Sequence, residues 1–256
     1  MSEEPGLRYR LDYELVTDGW EITFDDPPPV DVRHPDFELR LEAGHATVEM
    51  QLRCPNDLEA RRIVEAYLEA WAINTLLDSE AGDFHFKFCS AAISDRERSS
   101  WRPPSSVRVS QSVIEVLMAP PTARQSYPAP PTDFRADDLV LRMWRRWRRY
   151  LARRDGLSHV AYFCLEEVEW VAGSNGNARR AAATWLDITK PVLDKLGFLA
   201  NHRGSDLDAR HRQATPYSAP EQLWVETVVK ALIRRAGQKA AGVETHPLTM
   251  ADFPRL

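Results

Sequence analysis

Residues 119–131 read Ala-Pro-Pro-Thr-Ala-Arg-Gln-Ser-Tyr-Pro-Ala-Pro-Pro, and this stretch divides the chain into two halves with different periodicity. Proline lacks a backbone N–H and fixes φ, so the stretch cannot continue a helix or a central strand. We interpret it as part of a semi-extended, Pro-rich linker over 119–136. The linker separates a domain over 1–118 from a domain over 137–240, and residues 241–256 follow as a poorly ordered tail.

Before the linker, apolar and polar residues alternate with the period of two that is typical of strands with one buried face. This pattern predicts strands over 7–15, 20–24, 37–41 and 46–53, and later over 84–88, 107–109 and 113–117. From Asn56 or Asp57 onward, apolar residues instead recur every three or four positions. That spacing predicts one long amphipathic helix packed on the sheet, so the first domain is an α+β domain with an antiparallel sheet.

After the linker, the apolar period is helical throughout. It predicts helices over 137–154, 158–171, 177–186, 188–199 and 220–237. We therefore expect an all-α C-terminal domain of about five helices, and the α+β class for the chain as a whole.

Charge is distributed unevenly between the two halves. Residues 1–132 hold 23 Asp and Glu against 13 Lys and Arg, a net charge of −10, whereas residues 133–256 hold 15 against 20, a net charge of +5. Such asymmetry can mark a nucleic-acid-binding domain, or two halves that attract each other. The basic half could engage RNA or DNA, and the acidic half could bind a protein partner.

Several classes of site are disfavoured by the sequence. The three cysteines, Cys54, Cys89 and Cys164, form no CxxC pair, and the histidines outside 201–213 lack ligand spacing, so we expect neither a metal site nor a disulfide framework. Motifs for binding nucleotides and cofactors are absent, so no cofactor is expected. No leader-like or membrane-spanning apolar run is found, and we expect a soluble, cytoplasmic protein without membrane contacts.

The most basic segment is the predicted helix over 139–154. Its apolar residues share one helical stripe, which favours a buried core face: Val140, Met143, Trp144, Trp147, Tyr150 and Leu151. The arginines around that stripe lie on the solvated side, where they could neutralise phosphates or meet the acidic half. The nucleic-acid-binding residues predicted in this domain are Arg145, Arg148, Arg149, Arg153, Arg179, Arg180 and Arg212.

The loop over 201–213 combines two histidines, three arginines and two aspartates between two predicted helices. Histidine exchanges protons near neutral pH, and arginine stabilises an anionic phosphorane. We predict a metal-free ribonuclease site here, with Arg203, Arg210 and His211 as catalytic residues. The alternative is a solvated loop whose aspartates pair with its own arginines.

The pair Arg203 and His211 resembles the site of HEPN-type ribonucleases, helical proteins in which an Arg and a His at a helix junction are separated by four to six residues. Here seven residues separate the two, and Arg210 adjoins His211 directly. The resemblance implies metal-independent RNA cleavage. Residues 180–215 are also similar to the end of a winged-helix recognition helix with its basic wing, which implies DNA contacts by Arg179, Arg180 and Lys190.

Three hypotheses for function follow. The leading one is a protein that engages nucleic acid, RNA rather than DNA, with HEPN-like cleavage by the helical domain. The second is a non-enzymatic scaffold in which the acidic domain binds a partner protein and the arginine-rich helix is structural. The third is a winged-helix-like DNA-binding regulator.

Overall fold

The computed structural model describes residues 6–17, 22–78, 84–94, 122–173, 177–204 and 215–256. The chain forms two compact units, Met1–Pro130 and Pro131–Leu256. The first contains a five-stranded antiparallel sheet and the second is helical. This arrangement confirms the α+β class that the change of period predicts.

Strands and one long helix make up the first unit: β1 (Tyr9–Thr17), β2 (Ile22–Phe24), β3 (Val30–Arg33), β4 (Phe37–Glu42), β5 (His45–Met50), α1 (Asp57–Asp78), β6 (Phe84–Ile93) and β7 (Thr122–Arg124). Five strands form an antiparallel sheet in the order β3-β4-β5-β1-β6. β2 and β7 pair in parallel. The strands predicted over 107–109 and 113–117 lie outside the described residues.

One face of this sheet is buried, as the alternation predicts. The inward residues of β4 are at most 2% exposed, namely Phe37, Leu39 and Leu41, whereas the residues between them face solvent. α1 contributes Ala60, Val64, Leu68 and Trp71 to the same core. The helix begins where the Asn56 side chain accepts a hydrogen bond from the Glu59 N–H at 2.9 Å, which satisfies a backbone donor of the first turn.

Helices form the second unit: α2 (Asp138–Leu151), α3 (Leu157–Ala172), α4 (Ala178–Leu186), α5 (Lys190–His202) and α6 (Ala219–Ala240). α6 contacts each of the other four. Its core residues are fully buried, namely Trp224, Val225, Val228, Val229, Leu232 and Ile233. Among the described residues, no helix combines the length and apolar composition needed to cross a bilayer.

The predicted linker is attached to both units. Within the first unit, β7 lies inside the proline-rich stretch, and the buried Tyr127 hydroxyl accepts a hydrogen bond from the Gly44 N–H at 2.7 Å. Within the second, Phe134 is buried against Gly237 of α6. Aromatic burial therefore orders both ends of a segment whose composition alone predicts a free linker.

The segment over 241–256, which the sequence predicts to be a poorly ordered tail, makes specific contacts with the helices of the second unit. The Leu248 N–H donates to Asp187 O and the Thr189 N–H donates to Leu248 O, each at 2.8 Å. Phe253 is 7% exposed and contacts the Trp224 ring, with centroids 6.0 Å apart. The tail has too few apolar residues to show a period, but burial of one aromatic ring and paired backbone groups hold it on the helices.

Candidate functional site

The turn between α2 and α3 ends α2 sharply. The Arg153 N–H donates to Tyr150 O and the Arg154 N–H donates to Arg149 O, each at 2.8 Å. Arg153 has a φ of 54°, in the left-handed region. These bonds form a Schellman motif, in which glycine usually occupies that position because it has no Cβ. Two adjacent arginines are thereby exposed at a helix junction.

Asp155 is the centre of a charged cluster beside this turn, and its side chain is 7% exposed. Oδ2 lies 2.8 Å from Arg146 Nε and 3.6 Å from Arg149 Nε, and Oδ1 lies 3.6 Å from His159 Nδ1. Neither Arg146 Nε nor Asp155 Oδ2 makes a hydrogen bond within the described part of the chain. The short contact between them is therefore an ion pair and not a hydrogen bond.

A pocket of about 250 Å³ opens next to the Asp155 cluster. It is lined by Arg146 from α2, by Ser158, His159, Tyr162, Phe163 and Glu166 from α3, and by Ala200 and Asn201 from α5. The first turn of α3 contributes Ser158 and His159, where free N–H groups and the helix dipole favour an anion. Ser158 is 2% exposed, and its Oγ lacks a hydrogen-bond partner among the described residues.

The groups at this junction suit acid–base and anion chemistry. The imidazole of His159 can exchange a proton, the Asp155 carboxylate can orient it, and guanidinium groups can stabilise negative charge on phosphate oxygens. In the segments that the structure describes, no group of three or more His, Cys, Asp and Glu side chains is arranged to hold a metal ion.

The catalytic residues predicted from the sequence do not include this junction, although the sequence contains a signal for it. Four residues separate Arg154 from His159, and five separate Arg153 from His159, at the junction of two helices. This spacing meets the HEPN-type pattern, which the pair in the loop does not. The density of arginine and histidine favours the loop over 201–213 as the catalytic site. The spacing between Arg154 and His159 instead favours the α2–α3 junction.

The predicted core stripe of α2 is confirmed in part. Val140, Met143, Trp144 and Trp147 are buried, but Tyr150 is half-buried and Leu151 is 57% exposed. On the opposite side, three of the predicted nucleic-acid-binding residues form an exposed row at helical spacing, namely Arg145, Arg148 and Arg149. We call this row the arginine stripe. It ends at the junction, because Arg149 is also a member of the Asp155 cluster.

Arg203 lies at the end of α5 and pairs with a carboxylate of α6. Its Nε donates to Glu221 Oε1 at 3.0 Å, and Glu221 also closes the capping box of α6 with Ser218. The backbone N–H of Ser218, and then Arg203, lower the pKa of Glu221. Arg210, His211 and Arg212 lie outside the described residues, so the predicted site in the loop remains a prediction.

The remaining two predicted arginines, on α4, have different surroundings. Arg179 is engaged within the unit: its Nε donates to Glu169, and its Nη1 donates to Leu193 O at 2.8 Å. A Cβ on Gly197 would lie 2.8 Å from that Nη1, so the guanidinium fills a space that glycine leaves open. Arg180 is exposed. Of the two, only Arg180 presents its side chain to a ligand.

A second concave surface lies on the open face of the sheet in the first unit. Its volume is about 1000 Å³, and its charged lining residues include Arg10, Asp12, Asp31, Arg40, Glu42 and Glu49. Arg40 pairs with Asp31 at 3.2 Å and with Glu42 at 3.0 Å. The charges on this face are therefore partly compensated by one another.

No protein-family model, curated protein or solved structure matches this chain.

Proposed function

We propose that the helical unit binds RNA and cleaves it without a metal ion at the α2–α3 junction. The observation that carries this proposal is the convergence of Arg146, Arg149 and His159 on Asp155, beside a pocket at the start of a helix. The spacing of Arg154 and His159, which matches the HEPN-type pattern, supports the same reaction.

The reaction needs only groups that the junction contains. His159 takes the proton of a ribose 2′-hydroxyl, whose oxygen attacks the adjacent phosphorus. The O2′–P bond forms while the P–O5′ bond breaks, and water supplies a proton to the departing O5′. The hydroxide that remains takes the proton back from His159. The products are a 2′,3′-cyclic phosphate and a 5′-hydroxyl. Guanidinium groups stabilise the charge on the phosphorane oxygens, and Asp155 is a positioning residue for His159.

We assign RNA affinity mainly to the arginine stripe and to Arg153 and Arg154 at the α2–α3 junction. Each phosphate neutralised releases counterions, so affinity falls with salt in proportion to the number of contacts. The amides at the start of α3, which no side chain of the N-cap residue caps, add hydrogen bonds to phosphate oxygens. These contacts carry no base preference.

The decisive experiment compares cleavage and binding of one single-stranded RNA by variants of the full chain. We expect His159→Ala to lower the cleavage rate by about 100- to 10,000-fold, the usual contribution of a general base, with little loss of binding. His246→Ala, at an exposed histidine of the second unit, is the matched control and should cleave normally. The same RNA with 2′-O-methyl groups should bind without being cut, and the natural product should carry a cyclic phosphate.

Two outcomes contradict this proposal in different ways. If His159→Ala cleaves normally and Arg210→Ala with His211→Ala does not, the site is the loop pair and not the junction. If the wild-type protein neither binds nor cuts RNA at low salt, the whole nucleic-acid function is wrong.

A second candidate function is binding of a partner protein by the first unit, favoured by the groove on the open face of its sheet. Recognition by such a charge-lined surface depends on complementary charges. We expect a stoichiometric partner to be lost on Arg40→Glu and retained on Arg148→Glu. If both variants retain the partner, this groove is not its binding site.

A further inference from the structure

The outer face of α5 carries two stacked aromatic rings. Phe198 is 50% exposed, and the His202 ring lies against it with centroids 4.4 Å apart and planes 20° apart. Lys195 Nζ lies 5.5 Å from the centroid of the Phe198 ring. We call Phe198, His202 and Lys195 the α5 platform.

The platform is held in place before any ligand arrives. His202 Nδ1 forms a hydrogen bond with Phe198 O at 2.8 Å, which fixes the plane of the imidazole. The backbone of α5 beneath it is packed into the core, because Leu196 and Leu199 are fully buried. An ordered pair of rings at the surface loses little conformational freedom when a further ring stacks on it.

The platform adjoins the pocket of the Asp155 cluster. Asn201 lines that pocket, and it lies three residues after Phe198 on α5, so the two side chains are neighbours on the helix surface. The Asn201 Nδ2 donates to Gly197 O at 2.9 Å, which keeps the amide on this side of the helix. A chain of nucleotides with one phosphate in the pocket can therefore reach the platform with an adjacent base.

We propose that the α5 platform stacks an unpaired nucleobase, which makes single-stranded RNA the substrate class of the site. This inference rests on the function proposed above. Base stacking on aromatic rings is how proteins hold single strands without reading sequence. The cationic Lys195 beside the rings, next to a pocket that contains Arg146, gives the surface the positive charge that a nucleic acid strand requires.

The test measures binding of the full chain to a fluorescent oligouridine and to an RNA duplex over a series of salt concentrations. Loss of one stacked base by alanine substitution corresponds to roughly 5- to 150-fold in affinity. We expect Phe198→Ala to weaken oligouridine binding by that factor and to leave duplex binding unchanged. The slope of log K against log salt should stay the same, because no phosphate contact is removed. Phe198→Trp should restore the affinity.

Leu223→Ala is the matched control, since Leu223 is an apolar residue on α6 with a similar exposed fraction of 53%. This variant should bind both RNAs as the wild type does. If Phe198→Ala binds oligouridine normally, the platform proposal is overturned while the ribonuclease proposal stands. An equal loss with oligouridine and duplex would also overturn it, because stacking requires an unpaired base. If the wild type binds neither RNA, both proposals fail together.

Discussion

At the scale of single residues, Arg153 combines an unfavourable backbone conformation with an exposed charge. A left-handed conformation costs a residue with a Cβ roughly 1 kcal/mol relative to glycine. The Schellman motif at the end of α2 would form more easily with glycine at this position. Strained residues of this kind are concentrated at functional sites, and Arg153 is a member of the junction that we assign to RNA.

Arg153→Gly should therefore raise stability and lower RNA affinity at once. The free energy of unfolding should increase by about 1 kcal/mol, because the strain at φ 54° is removed. RNA binding should weaken, and the slope of log K against log salt should fall by about 1 for the lost phosphate contact. Chemical denaturation and salt titration measure the two effects.

Arg153→Lys separates the causes, because it keeps both the charge and the Cβ. We expect wild-type stability and a wild-type salt slope from this variant. A loss of stability in Arg153→Gly would show that the arginine side chain holds the turn, contrary to our interpretation.

At the scale of elements, α6 contains a glycine at a position where helical propensity alone would favour alanine. Gly237 is buried in the last turns of the helix, where alanine would normally be more stable by about 0.5–1 kcal/mol. A Cβ at this position would lie 2.1 Å from Cε2 of Phe134, and the Arg135 N–H donates to Gly237 O at 3.0 Å. The close approach of residues 134 and 135 to the helix therefore requires glycine.

We expect Gly237→Ala to destabilise the protein by about 1–3 kcal/mol, since a buried ring must move to admit the methyl group. In a Phe134→Ala background the same substitution should stabilise by up to about 1 kcal/mol, because only the helical propensity remains. A double-mutant cycle by denaturant unfolding measures this change of sign. Equal effects in the two backgrounds would show that the ring does not require the glycine.

At the scale of the whole molecule, the second unit contains a core of its own. α6 contacts the four other helices, and the C-terminal residues cover Trp224 through Phe253. Its pairing of charges is also internal, since Arg142 pairs with Glu167 at 2.8 Å and Arg203 with Glu221 at 3.0 Å. Some of its arginines are therefore paired with carboxylates of the same unit, which limits the positive charge that remains available to bind phosphate.

We expect a fragment over 131–256 to fold without the first unit and a fragment over 131–240 to be much less stable. Removing the segment after Ala240 exposes Trp224 and loses Phe253, whose burial contributes about 2 kcal/mol. Circular dichroism with thermal melting compares the fragments. Phe253→Ala in the full chain is the control for the ring alone. Identical melting of the two fragments would show that the tail contributes nothing.

The sequence determined the class of the fold, because period-two and helical patterns are local properties that one buried face imposes on each element. β4 and α2 show this, with buried stripes at Phe37–Leu41 and at Val140–Trp147 close to the predicted positions. The packing of the tail against the helices was not predicted, because Leu248 and Phe253 are too sparse to form a period. Their contacts are set by the helices they cover.

The candidate site was likewise predictable from the sequence only in part. The sequence supplied the residue types and the spacing of Arg154 and His159, but the greater density of Arg and His favoured the loop at 201–213. Only the tertiary structure brings Arg146 of α2, His159 of α3 and Asn201 of α5 to one pocket. Distances between helices depend on how their apolar faces pack, and no local pattern encodes them. The sequence thus predicts that the arginine-rich helix is part of the core. The helices packed against it make it part of a candidate site as well.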